Sequence, residues 1–167
     1  MSVGKVGGVS TPALHPDLNE IAFLIGTWSG PGLGSYPTID DFGYTETLTF
    51  GHVGKPFIAY SQRTIAADDG RPLHAETGYL RPGGPGRAEM TIAQPTGFTE
   101  LLEGDIEAGP RIVLISRAVN STTTAKEVTA TERRFELIDG VLVVSMSMAA
   151  VGVPMTHHLR SDLTRTP

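Results

Sequence analysis

Five histidines are the residues of this chain most able to bind or transfer something: His15, His52, His74, His157 and His158. Imidazole changes charge near neutral pH, and its neutral form is a common metal ligand. His15 precedes the first patterned segment and His52 falls in a turn, so both read as solvated. His74 sits near a strand start, where a surface or hydrogen-bonded role is ordinary. His157 and His158 are adjacent in the last strand-like segment, flanked by Met155 and Leu159. Neighbours on a strand point to opposite faces, so only one of them can face an interior. Simple alternation groups His157 with Leu159 and Leu163, and His158 with Thr156, Arg160 and Asp162. On that ground alone, one is a surface residue and the other a core histidine.

The remaining chemistry is sparse. The chain has no cysteine, which excludes disulfides, thiolate metal sites and cysteine nucleophiles and fits a reducing compartment. It has no Walker loop, no G-x-S-x-G and no H-E-x-x-H. Gly30-Pro-Gly32-Leu-Gly34 is glycine-rich, but it leads from helix to strand, whereas a phosphate loop needs a strand feeding a helix. Glu76, Asp105, Glu107 and Glu136 lie near turns or alternate with apolar residues and read as solvated. Glu46 shares the parity of Tyr44, Leu48 and Phe50, so it is expected to be buried and paired, with an arginine as a candidate partner; no role follows. Met90, Met146, Met148 and Met155 suit core filling, or a cavity for a flat apolar ligand. Lys126 alone reads as solvated.

Those residues must be carried by strands. Twenty Gly and twelve Pro imply many turns and many short elements. Asp17 is expected to cap a short helix with Leu18, Ile21, Ala22 and Ile25 on one face, ended by Gly26. Beyond Thr27 alternating segments follow: 44–50, 57–64, 73–80, 88–93, 98–106, 111–117, 126–137, 142–151 and 155–164. The breaks include Asp69-Gly70, the loop 81–86, Ala108-Gly-Pro110, Asp139-Gly140 and Gly152-Val-Pro154. This is the pattern of an antiparallel meander, a sandwich or an up-and-down barrel, with the helix suited to plug an open end. Residues 1–13 read as a flexible tail before one domain, 14–167. The net charge of −5, without a basic tract, favours neither nucleic acid nor an anionic membrane. No apolar run has the length of a membrane span, and the first residues lack a signal-peptide core, so a cytoplasmic protein is expected.

Several motifs together resemble the nitrobindin family. Gly26-Thr-Trp-Ser-Gly-Pro-Gly32 fits its G-x-W-x-G-x-G signature, carried by Gly26, Trp28, Gly30 and Gly32, and Gly34-Ser-Tyr-Pro-Thr-Ile39 fits G-x-Y-P-T-I. Gly51–Pro56, Pro72–Gly78, Ala125-Lys-Glu127, Val144–Ala149 and Met155–Leu159 extend the likeness from about Leu14 to the end. The resemblance implies a ten-stranded antiparallel up-and-down β-barrel, similar in shape to fatty-acid-binding proteins. It implies one haem b per subunit, largely ferric, that binds nitric oxide and isomerises peroxynitrite to nitrate. Residue by residue, it makes His158, directly before Leu159, the axial iron ligand; Thr38 lies beside the haem and Lys126 faces a propionate. It also implies an apolar distal side with few acid–base groups. Alternation favours His157 instead, which stays as the alternative ligand. If His158 faces inward by strict alternation, Leu159 and Leu163 face outward, where they would mark a homodimer face. The competing function is a haem-free carrier of an apolar small molecule in the same cavity.

Overall fold

The computed structural model describes residues 12–167; nearly all of the expected tail lies outside them. The chain forms a short 3-10 helix, Pro16–Leu24, and ten strands: β1 (Gly26–Tyr36), β2 (Ile39–Gly51), β3 (Ile58–Ala66), β4 (Pro72–Gly84), β5 (Arg87–Ala93), β6 (Phe98–Glu107), β7 (Arg111–Ser121), β8 (Val128–Ile138), β9 (Val141–Ala150) and β10 (Val153–Thr166). Each strand pairs antiparallel with the next, and β1 pairs with β10 to close the barrel. Closure removes the sheet edges and leaves a lumen that side chains must fill.

The helix begins two residues earlier than expected. His15, not Asp17, is the N-cap, and its Nδ1 accepts the Asp17 amide hydrogen at 3.3 Å. Pro16 occupies the first turn, where its fixed φ suits a helix start. The period is three rather than 3.6, so Leu18, Ile21 and Leu24 are buried while Ile25 becomes the C-cap. Part of the expected loop 81–86 is also strand, since β4 runs on to Gly84, and β7 extends past the expected 111–117 to Ser121. Lys126, conversely, lies in the connection before β8.

The helix closes one end. Its buried leucines join Trp28, Phe50, Phe135 and Leu163 in one apolar cluster. Trp28 is 1% exposed, and its indole N–H donates to the Leu24 carbonyl at 2.7 Å. Arg165 lies 4.3 Å over the Trp28 ring and donates to the Phe23 carbonyl at 3.1 Å, so the last strand ties down the helix. Among the described residues no helix is long and apolar enough to cross a membrane.

Gly30 explains part of the opening signature. A Cβ there would collide with the Asp162 carbonyl oxygen on β10, whereas one at Gly51 meets nothing within 4 Å. Gly30→Ala should therefore cost about 1–3 kcal/mol through forced backbone displacement, and Gly51→Ala should be close to neutral. Urea unfolding midpoints compare them; equal midpoints would refute this account of the seam.

Candidate functional site

The opposite half of the lumen is a cavity of about 1090 Å³. Its rim is made by the turns β1–β2, β3–β4, β5–β6, β7–β8 and β9–β10, which contribute Thr38, Asp68, Thr96, Lys126 and Val151. This volume is at the upper end for small-molecule sites and suits a large ligand.

His158 lines this cavity, while His157 is exposed on the outer wall. Alternation alone could not give this result because β10 carries a bulge. His157 pairs with Ser147 and Leu159 with Met146, leaving His158 opposite no residue. The extra residue shifts the phase of the strand, so His158 and Leu159 both face inward. The expected outward leucines are thereby corrected: Leu163 is fully buried in the core and Leu159 lines the cavity. Neither marks a dimer face.

The imidazole of His158 is fixed on two sides. Its Nδ1 lies 3.0 Å from the Ser35 carbonyl oxygen, which can only accept, so Nδ1 carries the hydrogen and Nε2 the lone pair. The Tyr36 ring stands edge-on at 5.3 Å between centroids and Phe42 at 6.3 Å. Tyr36 is itself anchored, accepting the Ala150 amide hydrogen at 3.1 Å. Burial lowers the His158 pKa, the Ser35 hydrogen bond opposes this, and the charges of His157 and His74 lower it further. The ring is thus held neutral with one nitrogen ready to donate electrons, the arrangement a metal-binding histidine needs.

The other expected residues divide clearly. Thr38 and Lys126 are both exposed at the rim of the cavity. Among the described residues no carboxylate lies within ion-pair distance of Lys126. Gly26, Trp28, Gly30 and Gly32 belong to β1, with Trp28 at the closed end. Met146 and Met148 line the cavity; Met90 is in the core, and Met155 is exposed.

The cavity floor differs most from expectation. It is polar. Arg133 is buried and donates to both oxygens of Glu76, at 2.7 and 3.0 Å, and to both of Glu100, at 2.7 and 3.2 Å. Glu100 also accepts from Gln94 at 2.5 Å and from Thr131. Glu76, expected to be solvated, is 6% exposed and accepts from Tyr60 at 2.6 Å, with His74 Nε2 3.5 Å away. Glu46 is buried as expected, but its partner is the Gln62 amide at 3.0 Å and not an arginine. Glu100 and Arg133 were not singled out, although both alternate in phase with buried neighbours, Phe98 and Leu102 on β6 and Thr131 and Phe135 on β8.

A closed antiparallel barrel with a large cavity and, in its wall, a neutral imidazole oriented by a backbone carbonyl defines a prosthetic-group or ligand-holding barrel. The comparisons make the class specific. Residues 17–165 match the THAP4-like, heme-binding beta-barrel domain, and the chain belongs to that family, the nitrobindins. It is 48% identical over 155 residues to a protein of Mycobacterium ulcerans named peroxynitrite isomerase 2, covering 91% of this chain and 96% of that one. It is 49% identical over 156 residues to the peroxynitrite isomerase of Nocardia farcinica, covering 92% and 93%. The crystal structure of Rv2717c from M. tuberculosis superposes with a TM-score of 0.86 at 43% identity, over 93% of this chain and all of that one.

The buried cluster has a pH signature. Burial alone would raise the Glu76 pKa, but the Arg133 charge and hydrogen bonds from His74, Tyr60 and Arg133 outweigh it and bring it down from 4.5 to about 2. A carboxylate depressed in this way adds stability above its unfolded pKa, and that stability is lost as pH falls through the folded value. The native protein should lose it between about pH 4.5 and 2. Arg133→Met should destabilise at pH 7 by about 3–5 kcal/mol, because two carboxylates lose their cation in the interior. Its stability should then fall less steeply over the acid range. Urea unfolding at stepped pH measures both; parallel pH curves would contradict the pairing.

Proposed function

We propose that this protein holds one haem b in the open half of the barrel through His158, isomerises peroxynitrite to nitrate and binds nitric oxide reversibly. One observation carries the reading: the bulge in β10 turns His158 inward, and Ser35 holds its Nδ1–H so that Nε2 is the electron-donating nitrogen. The names of the relatives from M. ulcerans and N. farcinica support the reaction. If haem were bound, His158 would hold its iron, and the cofactor would supply the bond-rearrangement chemistry.

The residues present fit such a group. The cavity is large enough for a flat macrocycle, and Met146, Met148 and Phe42 offer it soft and apolar contacts. Lys126 at the rim is a cation placed to meet a carboxylate entering from solvent, and Thr38 belongs to the same rim. The protein's part is to orient the imidazole, to enclose the ligand in barrel walls that limit water, and to keep its polar groups at the floor. A haem-free carrier of an apolar molecule would need neither an oriented imidazole nor a charged floor.

The experiment is a hemin titration followed by absorption. His158→Ala should lose the five-coordinate ferric spectrum and bind hemin at least tenfold more weakly, and His157→Ala should match the wild type. Retention of that spectrum by His158→Ala would exclude it as the ligand. A wild-type protein that takes up no hemin would favour the carrier. Nitrate formation no faster than in the haem-free control, on rapid mixing with peroxynitrite, would remove the isomerase reading alone.

A further inference from the structure

We propose that His74 is the anion-binding residue of the cavity: as an imidazolium it holds a small oxyanion, the peroxynitrite substrate or the nitrate product, in the lumen across from His158. The proposal rests on the isomerase reading above. It says how an anion is kept inside a lumen whose floor is acidic.

An anion drawn out of water needs a cation or hydrogen-bond donors beside it. Among the described residues that line the cavity, those able to carry positive charge are Arg71, His74, Lys126, Arg133 and His158. Arg133 gives its hydrogen bonds to Glu76 and Glu100. Arg71 pairs with Asp68 and Asp69 in the β3–β4 turn. Lys126 is exposed at the rim. His158 is held neutral and gives its one hydrogen to Ser35. His74 is the one group inside the lumen with a nitrogen to spare.

Its position suits the task. On β4 it shares the inward phase of the buried Glu76 and Leu80, and 28% of its side-chain surface is exposed. Around the closed sheet, β1, β2 and β3 separate β10 from β4 on one side, and β5 to β9 separate them on the other. His74 and His158 therefore stand on nearly opposite walls, each near the rim end of its strand. The groups that surround His74 are Glu76 on its own strand, Asp68 and Arg71 in the adjoining turn, Tyr60 from β3, Tyr44 and Glu46 from β2, Arg133 from β8 with Glu100 of β6 behind it, and His158. Glu76 is two residues deeper than His74, so the carboxylates bar the floor and leave an anion at the level of the imidazole.

The two ring nitrogens are unequal. Nε2 lies 3.5 Å from Oε2 of Glu76, a carboxylate that Arg133 helps to keep ionised. A carboxylate only accepts, so Nε2 keeps a hydrogen. Nδ1 has no partner among the described residues and is not buried. In the neutral ring Nδ1 is a lone pair, which repels an anion. In the imidazolium it is a second N–H, free for the anion while Glu76 holds the first. Imidazole is the ordinary side chain that exchanges these forms near neutral pH. Glu76 is a positioning residue here, because it fixes which nitrogen faces the ligand.

Nitrate, stable and of the same charge, is the probe, and the first test uses the haem-free full chain. Backbone amide resonances followed through a nitrate titration give the affinity in each variant, and the His74 ring resonance, assigned by its loss in His74→Leu, locates the anion in wild type. Wild type should bind nitrate about tenfold more tightly at pH 6 than at pH 8, and His74→Leu should bind it about tenfold more weakly than wild type at pH 6, without the pH dependence. His74→Lys, a cation at both pH values, should hold nitrate at pH 8 more tightly than wild type does. This variant decides the matter even if His74→Leu does not fold. In haem-loaded protein, His74→Leu should slow isomerisation about tenfold at pH 6 with the Soret band in place. No nitrate binding by wild type, equal affinity in wild type and His74→Leu, equal affinity at the two pH values, a His74→Lys no tighter than wild type at pH 8, or an unchanged rate in loaded His74→Leu overturns the proposal while the isomerase reading stands. No turnover in loaded wild type overturns the isomerase reading and, with it, the assignment of His74 to that substrate.

Discussion

The structure depends on how a closed barrel fills its own lumen. Ten antiparallel strands satisfy every ladder, but they enclose more space than one layer of side chains can occupy. Arg133 marks the boundary between the two solutions. It reaches from β8 to Glu76 on β4 and Glu100 on β6, binding three non-adjacent strands across the lumen. On one side of it lies the apolar cluster sealed by the helix and Trp28; on the other lies the open cavity. A buried ion triad is weak evidence for net stability, since apolar residues could fill the same space. Its effect is on position, because it fixes the depth at which the dry core stops.

The axial-ligand question shows what alternation can and cannot read. Most strands of this barrel alternate cleanly; β3 is buried at every second residue from Ile58 to Ala66. Such strands were legible in the sequence, as were the turns at Asp69-Gly70 and Asp139-Gly140. A bulge has no comparable signature. It inserts one residue into a register, so the phase of His157 with Leu163 is sound up to residue 159 and inverted beyond it. The motif Met155–Leu159 pointed to His158 where periodicity pointed to His157, because a motif carries the bulge implicitly and a period cannot. The same limit applied to the helix, whose three-residue spacing lies close enough to an α-helical stripe to be mistaken for one.

The charged floor was legible only in part. The parity of Glu46 placed it inside correctly, yet Glu76 was read as solvated, the usual state of a charged residue, and Glu100 and Arg133 were not singled out. That prior fails where opposite charges meet within one lumen. The partners lie 57 and 33 residues apart in the chain, so their meeting is set by barrel register and not by any local pattern. Arg133 is consequently unavailable to Glu46, whose nearest donor is an amide. Sequence could bury the carboxylate but could not choose between two kinds of partner.

The distribution of charge then constrains what the cavity can accept. Its floor is lined by Glu46, Glu76 and Arg133, with the fully buried Glu100 behind Arg133, and its middle wall is made of Tyr36, Phe42, Met146 and Met148. A ligand bearing carboxylates is repelled from the floor and pays little to lie against that wall. The rim carries a cation, Lys126, which stands in solvent outside the buried network. The neutral imidazole of His158 sits in the wall between, braced by Tyr36 and tied to Ser35. Polarity along the barrel axis therefore suits an amphipathic ligand whose charged end faces the rim. It also gives the bulge in β10 a second consequence: by placing His158 and Leu159 on one face, it sets a donor atom and an apolar contact side by side where the ligand must lie.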